Sequence, residues 1–196
     1  MTNFICKPNP NYAVETKTYS SPPDKLIELF NAVEKGAMNR NENYKIENAF
    51  NDYTLCYTLS TVDGEPWIGS IAWNLPFYNG LVRVSTRYCV HPKWANSFYR
   101  RDAPGKGFDN MRIDVVDHID QQIEFCKPLG FDSFFLSIED NSPNFRRSKT
   151  ICTSINKYSK YDWKILDENQ RVANGHDRSC WQQVIYNNMP YIRGAD

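Results

Sequence analysis

Hydrophobic positions recur along this chain with two periods, and the two take turns. The alternating run Leu81-Val82-Arg83-Val84-Ser85-Thr86-Arg87-Tyr88-Cys89-Val90 predicts a strand that stops at His91-Pro92. A polar segment follows and closes with Gly105-Lys106-Gly107. From about Asp109 to Lys127 the period lengthens: Met111, Val115, Ile119 and Ile123 fall at i, i+4, and Val116 and Cys126 widen the stripe. This predicts a helix with Asp109 as its N-cap, ended by Pro128-Leu129-Gly130. Phe131–Ile138 is aromatic and β-branched without a run of charges, as in a central strand. Strand, glycine-rich turn, helix and strand make a βαβ unit.

The rest of the chain divides in the same way. Residues 1–11 read as an irregular arm and Tyr12–Tyr19 as a first strand. Ser20-Ser21-Pro22-Pro23-Asp24 signals a helix start, and Leu26, Ile27, Leu29, Phe30 and Val33 continue at helical spacing. Asn39–Asn43 breaks that pattern, and a short helix is expected from Ile46 to Asn51. Thr54–Thr61 sets Leu55, Tyr57 and Leu59 against polar neighbours, Cys56 excepted. Asp63-Gly64 is the strongest hairpin signal, and Pro66–Trp73 returns from it. Asn79-Gly80 turns into the strand at 81–90, which completes a three-strand meander. Asn141-Ser142-Pro143 opens a helix running to about Tyr158. Asp162–Leu166 and Ser179–Tyr186 read as a last pair of strands. The predicted order is β, α, α, β, β, β, α, β, α, β, β.

Composition narrows the classes. The 196 residues, 41% hydrophobic and 14% aromatic, fit one compact domain over 1–196 with a core that needs no staples. Lys and Arg number 23, as do Asp and Glu, so no global field draws the chain to nucleic acid or anionic lipid. No apolar run reaches the ~18 residues of a membrane span, and residues 1–8 lack the apolar segment of a signal peptide. Six cysteines stand apart with no Cys-x-x-Cys pair, which points to reduced thiols and a cytoplasmic setting. Cys56, Cys89 and Cys126 fall within apolar patterns and are expected to act as small buried hydrophobes. Abundant asparagine fits an AT-rich coding sequence, such as a viral one, which would make the setting a host cytoplasm.

Chemistry concentrates at the turn of the βαβ unit. Gly105 and Gly107 let backbone N–H groups approach an anion closely, and the free N–H groups of the next helix turn add donors and partial positive charge. Arg100, Arg101 and Lys106 supply cations for phosphates. Other sets are poorer. His176 with Cys180 and His91 with Cys89 do not make a zinc set, so no metal is expected. His118 reads as a mid-helix histidine, partly exposed or hydrogen-bonded, and no nucleophilic triad is spaced for catalysis. Arg87–Phe108 interleaves cations with Trp94, Phe98 and Tyr99, a mixture that suits stacking on bases and leaves nucleic acid as an alternative partner.

Four features in this order resemble the GNAT superfamily of N-acetyltransferases. Asp63-Gly64-Glu65-Pro66-Trp67-Ile68-Gly69 is similar to the hairpin between that family's second and third strands, and Val90-His91-Pro92 to its Val-x-Pro after the fourth. Gly105-Lys106-Gly107 resembles the end of its pyrophosphate loop, and Tyr158-Ser159-Lys160-Tyr161-Asp162-Trp163 its Tyr-x-Lys-x-Gly-Phe. The resemblance implies an α/β fold: a twisted, mostly antiparallel mixed sheet of about seven strands with helices on both faces. It implies acetyl-CoA as co-substrate and an amine of a small molecule or protein as acceptor, the identity of which the sequence does not give. Fourth and fifth strands would part to admit pantetheine. Val90, Arg101, Gly105, Lys106, Gly107 and Phe108 would bind the coenzyme. Asn144 is the candidate for the family's fourth-helix asparagine, although Asn141 and Asn144 both lie early for it. Tyr158 would protonate the leaving thiolate, and Glu139, at the end of the fifth strand, would serve as base. Asp102, where the family has Gln or Arg, and the long stretch from Pro92 to Gly105 support the alternative of a GNAT-fold protein that binds or assembles without catalysis.

Overall fold

The computed structural model describes residues 14–37, 50–74, 82–91, 108–131, 133–139, 154–165 and 180–186. Seven strands form one sheet: β1 (Val14–Tyr19), β2 (Thr54–Val62), β3 (Glu65–Asn74), β4 (Val82–Val90), β5 (Ser133–Glu139), β6 (Lys164–Ile165) and β7 (Cys180–Tyr186). Two long helices accompany them, α1 (Asp24–Ala37) and α2 (Phe108–Cys126). The spatial order is β1-β2-β3-β4-β5-β7-β6. Every neighbouring pair is antiparallel except β4 and β5, which run parallel. The expected α/β architecture is therefore present, with the one parallel pair flanking α2 in the sequence as a βαβ crossover requires.

Local chemistry explains the joints. Asp63 and Gly64 both adopt positive φ, 50° and 80°, the conformation a two-residue hairpin turn needs to match strand twist. Lys25 Nζ donates to the Gly64 carbonyl at 2.6 Å and ties the turn to the start of α1. The Pro23 carbonyl accepts from the amides of Leu26 and Ile27, which opens α1 after two prolines. A 3-10 turn over Lys127–Leu129 follows α2, and Gly130 at φ 95° donates its N–H to the Lys127 carbonyl to close it.

Three boundaries differ from the sequence reading. Helix α2 begins at Phe108, so Asp109 lies inside the first turn instead of capping it. Residues 50–53 are bends and turn, not the end of a helix over Ile46–Asn51. Strand β5 begins at Ser133, two residues after Phe131. The irregular arm, the Asn79-Gly80 turn and most of the helix from Asn141 lie outside the described residues, although 154–158 is helical.

Strand parity sorts the core into two layers. Tyr57, Leu59, Ile71 and Cys89 meet Leu26, Leu29 and Phe30 of α1 on one face. Cys56, Ile68, Ala72, Val82, Val84, Val90, Phe134 and Leu136 meet Val115, Val116, Ile119 and Ile123 of α2 on the other. Each such fully buried side chain contributes roughly 1.5–3 kcal/mol relative to exposure. Cys56, Cys89 and Cys126 are buried and unbridged, as expected of small hydrophobes. A hydrogen bond with Cys126, together with burial, pushes the Cys56 thiol up.

Candidate functional site

Among the described residues, the parallel pair is where the sheet's pairing is interrupted. β4 and β5 pair only through Val82↔Phe134 and Arg83↔Phe135. Both strands continue past those positions, β4 to Val90 and β5 to Glu139, without further pairing between them. On its other side β5 stays paired along its length, from Ser133↔Tyr186 to Glu139↔Cys180. The parting therefore belongs to the β4–β5 seam alone.

A bulge in β4 accounts for it. The β3–β4 register runs Ile71↔Arg87 and then Trp73↔Arg83, so two steps along β3 oppose four along β4. Extra residues bend a strand and sharpen its twist, which turns β4 away from β5 just beyond their last pair. The same ladder fixes where the β4 backbone points. His91 N donates to Trp67 O at 2.8 Å, so His91 and Trp67 form a hydrogen-bonded pair in register with Ile68↔Val90. Hydrogen-bonded and non-hydrogen-bonded pairs alternate along an antiparallel ladder. The N–H and C=O of Val90 thus turn away from β3, toward the side on which β5 has parted. Its side chain, 9% exposed, joins the α2-side core.

The sequence-predicted residues fall around this seam in part. Val90 ends β4 and Glu139 ends β5, at the same edge of two parallel strands. Phe108 is the first residue of α2, so a helix starts where the Gly105-Lys106-Gly107 turn stops. Arg101, Gly105, Lys106, Gly107 and Asn144 lie outside the described residues. Tyr158 closes the helical turn at 154–158 and packs, half-buried, against the α2-side core that contains Val84, Val90 and Leu136. Lys157 Nζ stands 5.0 Å from the centre of its ring.

Two sets of polar residues on α2 add to this: Asp120 was not anticipated, and His118, expected to be partly exposed or hydrogen-bonded, is hydrogen-bonded but fully buried. Asp120, 6% exposed, accepts from Ser159 Oγ at 2.6 Å and from the Lys160 amide at 3.0 Å. Ser159 Oγ in turn accepts from Tyr161 N and Trp163 Nε1, each at 3.1 Å. Burial pushes the Asp120 carboxyl up, and the bonds from Ser159 and Lys160 pull it back. An acid three residues before Ile123 and four after Val116, on the flank of an apolar stripe, was the signal for it.

The second set centres on His118, which is fully buried and hydrogen-bonded through both ring nitrogens. Nε2 meets Ser60 Oγ and Nδ1 meets Ser70 Oγ, each at 2.6 Å. Gln122 Nε2 donates to Ser70 Oγ at 2.8 Å, and Thr16 Oγ1 lies 2.6 Å from Ser60 Oγ. Burial lowers the His118 pKa to about 3, so the ring is neutral. One helical turn earlier, burial and then the Asp117 charge raise Asp114 to about 7. Its Oδ2 is buried without a hydrogen-bond partner among the described residues. His118 and Asp114 flank the β1–β2 side of α2, since neighbouring Gln121 meets Thr18 of β1, whereas Asp120 faces the 154–163 segment. No group of His, Cys, Asp and Glu among the described residues could hold a metal, and no described helix is long and apolar enough to cross a membrane.

No family model and no curated protein matches the sequence. Solved structures match it in fold. A probable acetyltransferase from Staphylococcus epidermidis ATCC 12228 aligns with a TM-score of 0.50 at 11% identity, over 90% of this chain and 100% of that one. An acetyltransferase of the GNAT family from Staphylococcus aureus Mu50 aligns at 0.48 with 12% identity, over 88% and 99%. The PaiA N-acetyltransferase of Thermoplasma acidophilum, solved with coenzyme A, aligns at 0.48 with 11% identity, over 88% and 99%. At these identities the likeness is one of architecture. The seven-strand mixed sheet with its single parallel pair among the described strands and helices on both faces is the GNAT-like architecture expected from the sequence.

Proposed function

We propose that this protein is a CoA-dependent acyltransferase that moves an acetyl group from acetyl-CoA to an amine. The observation that carries the reading is the β4–β5 seam, open past Arg83 and edged by the Val90 backbone. An extended amide-bearing chain such as pantetheine needs backbone donors and acceptors along one wall, and a strand with a free edge offers them. The Val90 N–H can also polarise a thioester carbonyl laid against it. The start of α2 beyond Gly105-Lys106-Gly107 suits the pyrophosphate through amides 105–108, with Arg101 and Lys106 as counter-charges and Asn144 as a further contact. Acetyl-CoA supplies the acetyl group as an activated thioester. The chain's own groups manage protons: Glu139, directly or through water, takes one from the amine, and Tyr158 gives one to the departing thiolate. The C–S bond breaks as the C–N bond forms.

Titration calorimetry with CoA and acetyl-CoA tests this. Binding is expected, and Lys106→Glu should weaken it by at least about tenfold through lost charge neutralisation. No heat and no thermal stabilisation at millimolar coenzyme would favour a binding or assembly protein of the same fold.

A further inference from the structure

Four hydrogen bonds link the segment that follows Tyr158 to α2 through two groups, the Ser159 hydroxyl and the Asp120 carboxylate, and their polarity is forced. Ser159 Oγ already accepts from Tyr161 N and Trp163 Nε1, so its own proton goes to Asp120 Oδ1. The Lys160 amide donates to Asp120 Oδ2. Asp120 therefore acts as an acceptor twice, the role of a carboxylate and not of an amide. Glu124, one turn further along α2, pairs with Lys160 Nζ and adds a second tether to the same residue. Ser159 N also donates to the Ile155 carbonyl at 2.9 Å, which continues the helical turn that ends at Tyr158. A helix end without partners frays. Here the exit of the chain is pinned to the middle of α2 immediately after the tyrosine.

Building on the acyltransferase reading, we propose that Asp120 is a positioning residue for Tyr158: by holding Ser159 and the Lys160 amide it sets where the Tyr158 ring stands against the α2-side core. The clamp links the proton donor to α2, the helix whose first turn would hold the coenzyme phosphates. Donor and coenzyme are then placed by one rigid element. Ring placement matters more than ring presence, because misplacing a catalytic group by about 1 Å costs about a hundredfold in rate.

The test uses the full chain with 3-fluorotyrosine encoded at position 158, read by fluorine NMR, alongside release of thiol from acetyl-CoA with a diamine and a free-amino peptide as acceptor probes. Ser159→Ala removes the donor to Asp120. Asp120→Asn leaves one acceptor where two donors converge. Ser159→Thr keeps the hydroxyl. The first two variants should shift and broaden the fluorine line. They should lower kcat by about a hundredfold while KM for acetyl-CoA stays within about twofold. Ser159→Thr should restore both readouts, and Tyr158→Phe should match the loss in kcat. Fluorine lines unmoved in both folded variants would overturn the proposal, as would a moved line with unchanged kcat. A wild-type protein that neither binds CoA nor releases thiol would remove the acyltransferase reading, and with it the catalytic purpose of the clamp. The fluorine line would still decide whether Asp120 sets the ring.

Discussion

The two faces of the sheet are built from the same strands and solve burial in opposite ways. On the α1 face the contact is built mainly from aliphatic and aromatic side chains, with Leu26, Leu29 and Phe30 against Leu59 and Ile71 among the described residues. A Cβ placed on Gly69 would come within 2.5 Å of Leu26 Cδ1 and 2.8 Å of Leu29 Cδ2. The missing side chain is what lets α1 lie so close. One residue on, with the opposite parity, Ser70 points to α2 and meets His118 and Gln122. The α2 face keeps an apolar centre but carries a polar chain through it, from Thr16 to Ser60, His118, Ser70 and Gln122. A dry contact gains from shape and tolerates little added volume. A buried polar chain is worth keeping only while each member has a partner.

That contrast can be broken at three points, the largest expected effect first. Gly69→Val should cost about 3 kcal/mol in denaturant unfolding, because Leu26 and Leu29 are fully buried and have nowhere to swing. An unchanged midpoint would mean that α1 stands off the sheet. His118→Leu should cost about 2 kcal/mol at neutral pH, since it takes the ring partner from the Ser60 and Ser70 hydroxyls and leaves them only Thr16 and Gln122. It should also flatten the acid limb. The folded pKa, about 3, lies below the ordinary 6.5, so the unfolded chain gains a proton first as pH falls. Wild-type stability from this group is complete above about 6.5 and declines toward about 3, a slope the variant would lack. Equal slopes would show the ring to be solvated. Asp114→Asn has the opposite sign. The folded pKa, raised from 3.8 to about 7, favours the protonated acid, so its contribution is full below about 4 and is lost as pH rises through about 7. The variant should gain roughly 1–2 kcal/mol over wild type at pH 8 and nothing at pH 4, as read by paired thermal melts.

Much of the frame was legible because it rests on local chemistry. Asp63-Gly64 announced its hairpin through a backbone conformation few residue pairs accept, and Val115, Ile119 and Ile123 of the expected α2 stripe lie on its buried face. The polar positions of β2 were less legible. Thr58 and Ser60 alternate with Leu59 as they would on a strand with one wet face, yet both are fully buried. Alternation reports which side chains share a face; it cannot report that a histidine and a glutamine from a distant helix will satisfy that face. Asp120 was missed for a related reason, since its partners lie some forty positions later in the chain. The α2 start was misread by one turn position because Asp109 has the chemistry of a cap, whereas the helix already includes it. Of the expected site, Val90, Glu139 and Phe108 stand at element ends, where strand and helix punctuation is readable. The divergence of β4 from β5 came only from the family resemblance, because a bulge has no period.

The seven-strand sheet has a narrow waist. Among the described residues two pairs stitch its β1–β4 half to its β5–β7–β6 half, so backbone pairing alone would make a poor hinge-stop. The bridging is done from outside the ladder, by a continuous apolar core that holds Ile68 and Ala72 of one half together with Phe134 and Leu136 of the other. This shared core works as a splint across a fracture line. Loosening it would let the two halves swing as separate plates long before either came apart.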